Sequence, residues 1–171
     1  MNPKYYLTTP LYYVNSKPHI GHSYTEIAAD TLARFKRLQG IQVLFLTGTD
    51  EHGQKVDKAA TQAGMTPKEF TDKISLSFRE LWKTLNISYD DFIRTTEKRH
   101  FQAVQEVWKR LYEKDEIYKD TYRGLYCTPC ESFWLESQVL KENGELLCPD
   151  CKRPVEKIEE SAPPTAENPA T

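Results

Sequence analysis

The sequence predicts an α/β fold with a small metal-binding appendage, and three observations carry that expectation. A strand-like run, Tyr5 to Thr9, is followed by a helix-like stretch in which Ile27, Ala28, Leu32, Phe35 and Leu38 recur with a 3.6-residue period. The nearly continuous apolar run Ile41 to Thr47 then has the character of a buried parallel strand, which completes a βαβ pattern. Downstream, the four cysteines fall into two Cys-x-x-Cys pairs, Cys127 with Cys130 and Cys148 with Cys151, separated by the 17 residues 131–147.

The first strand leads into Pro18-His19-Ile20-Gly21-His22. A strand whose carboxyl end turns into the start of a helix offers unpaired backbone N–H groups and a partial positive charge, which is where α/β folds hold phosphates. Two imidazoles at that junction add donors, and Gly21, lacking a Cβ, lets a flat base pack on the backbone. The pattern is suited to ATP, with His19 and His22 steadying charge on a phosphate during transfer. A single histidine near a helix start is more often a cap or a surface residue, and a four-residue match does not decide the matter. Ser23 reads as the cap of the helix, Gly40 as its stop, and the apolar stripe as the face turned to the sheet.

The second strand is expected to end at Gly48, which puts Asp50, Glu51 and His52 at its carboxyl end, facing the same crevice as His19 and His22. A solvated acidic turn is the plain alternative. A helix from about Gly53 to Ala63 is closed by Gly64. Thr66-Pro67-Lys68-Glu69 supplies a cap, a first-turn proline and a capping-box acid for the next helix. Its apolar positions Phe70, Ile74, Phe78, Leu81, Trp82 and Leu85 read as core. Asp91 to Thr96 is expected as a short strand, followed by a helix carrying Val104, Val107, Trp108, Leu111 and Tyr112. Ile117 to Lys119 and Tyr122 to Tyr126 read as a hairpin feeding the first cysteine pair.

Each Cys-x-x-Cys can form a tight knuckle, and two knuckles complete the four-thiolate shell that Zn²⁺ prefers, leaving no open position for substrate water. The zinc at Cys127, Cys130, Cys148 and Cys151 is therefore structural. Disulfides suit an oxidising compartment, and a redox motif of the thioredoxin type would have no partner pair.

With 171 residues, 23 basic against 25 acidic and a formal charge of −2, the chain shows no global basic signature of nucleic-acid binding. There is no run of 18 apolar residues, and Met1-Asn2-Pro3-Lys4 is unlike a signal peptide, so a cytoplasmic, membrane-free protein is expected. Ser161 to Thr171, rich in proline and small polar residues, reads as a disordered tail.

Three segments in order, Thr9-Pro10-Leu11-Tyr12-Tyr13-Val14-Asn15, Pro18-His19-Ile20-Gly21-His22 and Leu46-Thr47-Gly48-Thr49-Asp50-Glu51-His52-Gly53, resemble methionyl-tRNA synthetases of the bacterial type, which belong to class I. The resemblance runs from about Lys4 to Glu160. It implies the first half of a Rossmann-like nucleotide-binding fold over residues 1–115 and a zinc-binding connective domain over 116–160, with the tail at 161–171. It also implies methionine–tRNA ligase chemistry. ATP, used with Mg²⁺, is attacked at its α-phosphorus by the methionine carboxylate, pyrophosphate leaves, and the adenylate passes methionine to tRNA. By resemblance, Thr9, Pro10, His19, Gly21 and His22 hold ATP, His19 and His22 are catalytic, and Leu11, Tyr13 and Asp50 hold methionine, while Tyr12 is core. The Lys-Met-Ser-Lys-Ser loop of the family is absent in its usual form. Lys73-Ile74-Ser75-Leu76-Ser77 lies inside an amphipathic helix and reads as a chance match. The alternative is a truncated zinc- and nucleotide-binding module without turnover, and in either case the chain alone is expected to make little or no methionyl-tRNA.

Overall fold

The computed structural model describes residues 3–118, 120–142 and 144–162. The chain divides into two compact units between Val104 and Gln105. The first unit runs β1 (Lys4–Tyr13), α1 (Ile20–Leu38), β2 (Gln42–Asp50), α2 (Gln54–Gln62), α3 (Pro67–Thr84) and β3 (Asp91–Arg94), and α4 (Lys98–Tyr112) crosses the division. Its three strands form a parallel sheet in the order β1-β2-β3, the α/β architecture expected.

Both long strands extend further than the sequence suggested. β1 continues through Pro10 to Tyr13 because its register with β2 breaks between Thr8 and Leu11, where a residue without an N–H costs no ladder bond. β2 runs past Gly48 rather than ending there. Gly48 is buried, and a Cβ on it would lie 2.0 Å from the Ile93 carbonyl oxygen, so the missing side chain is what admits β3 beside β2.

One face of the sheet is covered. Tyr12 and Val14 from β1 and the residue after it pack with Val56 and Ala60 of α2, with Phe70, Ile74, Phe78 and Trp82 of α3, and with Phe92 of β3. The capping box read at Thr66 is present, and the core positions read along α3 are buried or packed against this cluster. Tyr6, Leu11, Tyr13 and Leu44 are exposed.

Helix α1 departs from expectation at its start and on its faces. It begins at Ile20 with His19 as N-cap, so Ser23 lies inside the helix. Its inward residues are Glu26, Asp30 and Ala33, whereas Ile27, Phe35 and Leu38 are exposed. The polar side chains go inward because partners wait for them. The Thr47 hydroxyl donates to Glu26 Oε1, Thr9 Oγ1 lies 3.2 Å from the same atom, and Asp30 accepts the backbone N–H of Ser88 at 2.7 Å.

In the second unit, β4 (Asp120–Cys127), β5 (Ser132–Trp134) and β8 (Glu156–Ala162) form an antiparallel sheet in the order β5-β4-β8, and β6 (Leu140–Glu142) pairs with β7 (Glu145–Leu147). The hairpin expected between Ile117 to Lys119 and Tyr122 to Tyr126 is not formed. Ile117 and Tyr118 are outside any strand, Lys119 lies outside the described residues, and β4 takes its partners from beyond the cysteine turn. Nor does a tail start at Ser161, since Ser161 and Ala162 pair with Thr121 and Asp120 as the end of β8. The rest of that stretch, 163–171, lies outside the described residues. Among the described residues no helix is long and apolar enough to cross a membrane.

Candidate functional site

The start of α1 is built by its two histidines. His19 Nδ1 accepts the Gly21 N–H at 3.1 Å, and His22 Nδ1 accepts the His19 N–H at 3.1 Å, a reciprocal capping box made of imidazoles instead of hydroxyl and carboxylate. Their rings stack with centroids 3.8 Å apart. Because each Nδ1 is an acceptor, each neutral ring carries its proton on Nε2. Burial, and secondarily the neighbouring His19, hold the His22 pKa below the ordinary histidine value, so this ring is neutral at physiological pH and presents an Nε2–H donor. Capping and phosphate binding are therefore compatible, one nitrogen serving each. Gly21 has a use the sequence did not reveal: a Cβ there would meet the His19 ring at 3.0 to 3.1 Å and disturb the cap.

The strand ends meet this helix start through Tyr12. Its ring is buried and stands edge-on to His22 at 4.9 Å and parallel to Phe78 at 5.7 Å, which bears out its reading as core. In the β1–β2 register Leu11 pairs with Gly48, Tyr12 with Thr49 and Tyr13 with Asp50. Leu11, Tyr13 and Asp50 thus lie together at the carboxyl ends of two adjacent strands, and Tyr12 between them links β1 to the turn that carries His19 and His22. Leu11 and Tyr13 are 37% and 43% exposed, open to a ligand, and the Lys55 ammonium lies 5.5 Å from the centre of the Tyr13 ring. The structure turns the Thr9 side chain inward to Glu26 and Thr47 and leaves Pro10 exposed.

Glu51 does not face the crevice, contrary to expectation. Its side chain is fully buried and takes a two-pronged bond from Arg94, Nε to Oε1 at 2.7 Å and Nη2 to Oε2 at 2.9 Å. Thr49 Oγ1 donates to Oε1 at 2.8 Å, and Thr96 Oγ1 donates to Oε2. Arg94 also reaches Asp72 Oδ1 of α3 at 2.6 Å. A buried carboxylate has to be neutralised where it sits, and this fork does so, locking the end of β2 to β3 and α3. Asp50 and His52, on either side, stay accessible. Both reach one hydroxyl, that of Thr95, which lies 3.5 Å from Asp50 Oδ1 and 3.1 Å from His52 Nδ1. Sequence reasoning missed Arg94, Thr95 and Glu26; their partners are distant in sequence, and only the fold brings them together.

In the second unit the four cysteine sulfurs all lie within 4.8 Å of one another, positioned to bind a metal ion. Cys127 ends β4 and Cys148 follows β7, each the buried member of its pair. The residue after each pair, Glu131 and Lys152, has positive φ of 54° and 57°, so both turns close in the same way. Burial raises the Cys127 thiol. Burial acts on Cys148 in the same direction but is outweighed by the backbone N–H groups of Cys151 and Asp150, which bring it down to about 7.

A family model described as tRNA synthetases class I (M) matches residues 5–164. The methionine–tRNA ligase of Clostridium perfringens is 59% identical over 158 residues, covering 92% of this chain and 24% of that protein. The same ligase of Thermotoga maritima is 56% identical over 157 residues, covering 92% and 25%. Among solved structures, Mycobacterium tuberculosis methionyl-tRNA synthetase in complex with methionyl-adenylate superposes with a TM-score of 0.88 at 43% identity, covering 94% of this chain and 32% of that one. The chain spans about a quarter of the length of the curated relatives it matches.

Proposed function

Because this chain belongs to the class I tRNA synthetases of the methionine branch, we propose that it supplies the first half of the nucleotide-binding fold of a methionine–tRNA ligase, with residues for ATP and methionine. The observation that carries this reading is that, at the carboxyl ends of β1 and β2, the partly exposed Asp50 lies in register with Tyr13, while Tyr12, between Leu11 and Tyr13, stands against the His22 ring at the imidazole-capped start of α1. The Nε2–H groups of His19 and His22 meet the phosphates, and the amino terminus of α1 adds its partial positive charge. Gly21 and Pro10 leave the backbone open for the base, and the backbone of Thr9 borders the same end of β1. Asp50 pairs with the methionine ammonium, while Leu11 and Tyr13 flank the thioether. With both substrates held this way, the methionine carboxylate attacks the α-phosphorus of ATP, the bond from that phosphorus to the β-phosphate oxygen breaks, and pyrophosphate leaves; Mg²⁺ accompanying ATP would offset charge on the phosphates. Positioning and stabilisation of the developing charge supply most of the rate. Transfer to tRNA follows, and the segments of the family beyond this chain's span take part in it.

The cysteine cluster fits a structural zinc. A tetrahedron with Zn–S bonds of about 2.3 Å has edges of about 3.8 Å. Cys127 and Cys151 stand 3.5 Å apart, and Cys130 and Cys148 3.9 Å apart. Four thiolates fill the shell, so the metal holds the knuckles together and takes no part in the reaction.

The test is methionine-dependent ATP–pyrophosphate exchange by a full-length synthetase carrying these residues. His19→Ala and His22→Ala should each lower the turnover rate by roughly 10²–10³ while changing ATP affinity much less. Exchange near the wild-type rate in both variants would return the two histidines to capping alone.

A further inference from the structure

The hydroxyl of Thr95, just past the end of β3, stands at the centre of the segment Asp50-Glu51-His52. It is 6% exposed, it accepts the Glu51 backbone N–H at 2.8 Å, and it lies 3.1 Å from His52 Nδ1 and 3.5 Å from Asp50 Oδ1. Its own N–H donates to the Thr49 carbonyl at 3.1 Å, which holds the residue against β2.

A threonine hydroxyl has one proton and two lone pairs. The Glu51 N–H takes one lone pair, so the other lone pair and the proton remain for His52 and Asp50. A carboxylate oxygen can only accept, and it therefore calls for the hydroxyl proton. One arrangement then satisfies all the groups: His52 carries a proton on Nδ1 and donates it to Thr95, and Thr95 donates to Asp50 Oδ1. With a bare Nδ1 the ring and the carboxylate compete for a single proton, and one of them goes without.

We propose that Thr95 is a positioning residue for Asp50, passing a hydrogen-bond chain from His52 Nδ1–H through its own hydroxyl to the carboxylate that receives the amino group of methionine. The inference rests on the reading of Asp50 given under Proposed function. The chain explains why His52 sits one residue beyond the buried Glu51. Glu51 anchors the strand end from below through Arg94, while His52 and Thr95 fix the rotamer of Asp50 from the side. At 3.5 Å the Thr95–Asp50 contact is the longest link of the chain.

Two measurements on the chain itself decide the matter. First, ¹⁵N NMR of the His52 ring above its titration range should show the proton on Nδ1. The Nε2–H tautomer would overturn the relay without any variant being made. Second, methionine is titrated into wild type, Thr95→Ser, Thr95→Val and Asp50→Asn, with ATP as the control ligand. Thr95→Ser should bind methionine within about twofold of wild type, and Thr95→Val should lose roughly tenfold or more, with the ATP response unchanged in both. Equal methionine binding by Thr95→Val and wild type, alongside loss in Asp50→Asn, would overturn the role of Thr95 and leave the reading of Asp50 standing. Unchanged binding in Asp50→Asn would overturn that reading, and the Thr95 inference with it.

Discussion

Replacing Arg94 by methionine should unfold the first unit at markedly lower denaturant concentration, and the structure fixes the size of the effect. The Glu51 side chain is fully buried and the Arg94 side chain only 20% exposed, so the pair is shielded from water. Methionine keeps most of the apolar stem and removes the charge. Glu51 would retain Thr49 and Thr96 as donors but lose both prongs of its only cation among the described residues. Breaking a buried pair by removing one partner costs about 3–5 kcal/mol, against about 0–1 kcal/mol for an exposed pair such as Lys68–Asp72. We expect about 3 kcal/mol, because the two hydroxyls still solvate the carboxylate. With a urea m value of about 1–2 kcal/mol/M for a unit of this size, the midpoint should fall by about 1.5–3 M. Glu51→Gln in the same background should recover part of the loss, giving a coupling of at least about 1 kcal/mol in the double-mutant cycle. A loss below about 1 kcal/mol for Arg94→Met would refute the argument that the fork anchors the end of β2.

Three further outcomes follow from the same reasoning. Burial raises the Glu26 carboxyl above its usual value of 4.5, so the folded state favours the protonated form; stability is greatest below that value and declines as pH rises through the folded pKa. Glu26→Gln removes this decline, so urea unfolding should show the variant gaining on wild type between pH 4.5 and pH 8, and a difference independent of pH would contradict it. Gly48→Ala drives a methyl group onto the Ile93 carbonyl oxygen and should cost at least about 2–3 kcal/mol by urea unfolding, with a change below about 0.5 kcal/mol as the contrary result. Purified chain should carry about one zinc, lost in Cys127→Ser with Cys148→Ser, and unchanged metal content in that variant would remove the assignment.

What was legible in the sequence is what is decided locally. The capping box at Thr66, the break at Gly64 and the two cysteine pairs depend on residues a few positions apart, and each is found where its chemistry places it. The start of α1 was misread because a serine is the ordinary cap, whereas two imidazoles cap here by a route that hydroxyl-based rules do not anticipate. Its faces were misread for a different reason. Periodicity assumes that apolar side chains go inward, but Glu26 and Asp30 are drawn in by Thr9, Thr47 and Ser88, and Ile27, Phe35 and Leu38 are left outside. Of the candidate site, the histidines and Asp50 could be named from their motifs. Their support could not, since Arg94 and Thr95 meet the Asp50-Glu51-His52 segment only when β3 is laid beside β2.

If the carboxyl ends of β1 and β2 hold the methionyl-adenylate made there, amide chemical-shift mapping of the chain with a non-hydrolysable methionyl-adenylate analogue at millimolar concentration tests it most directly. The expected result is a saturable set of shifts at Leu11, Tyr13, Gly21, His22 and Asp50, with those at Leu11, Tyr13 and Asp50 lost in Asp50→Asn. Shifts confined to other surfaces, or none at saturating analogue with the fold intact, would contradict the claim.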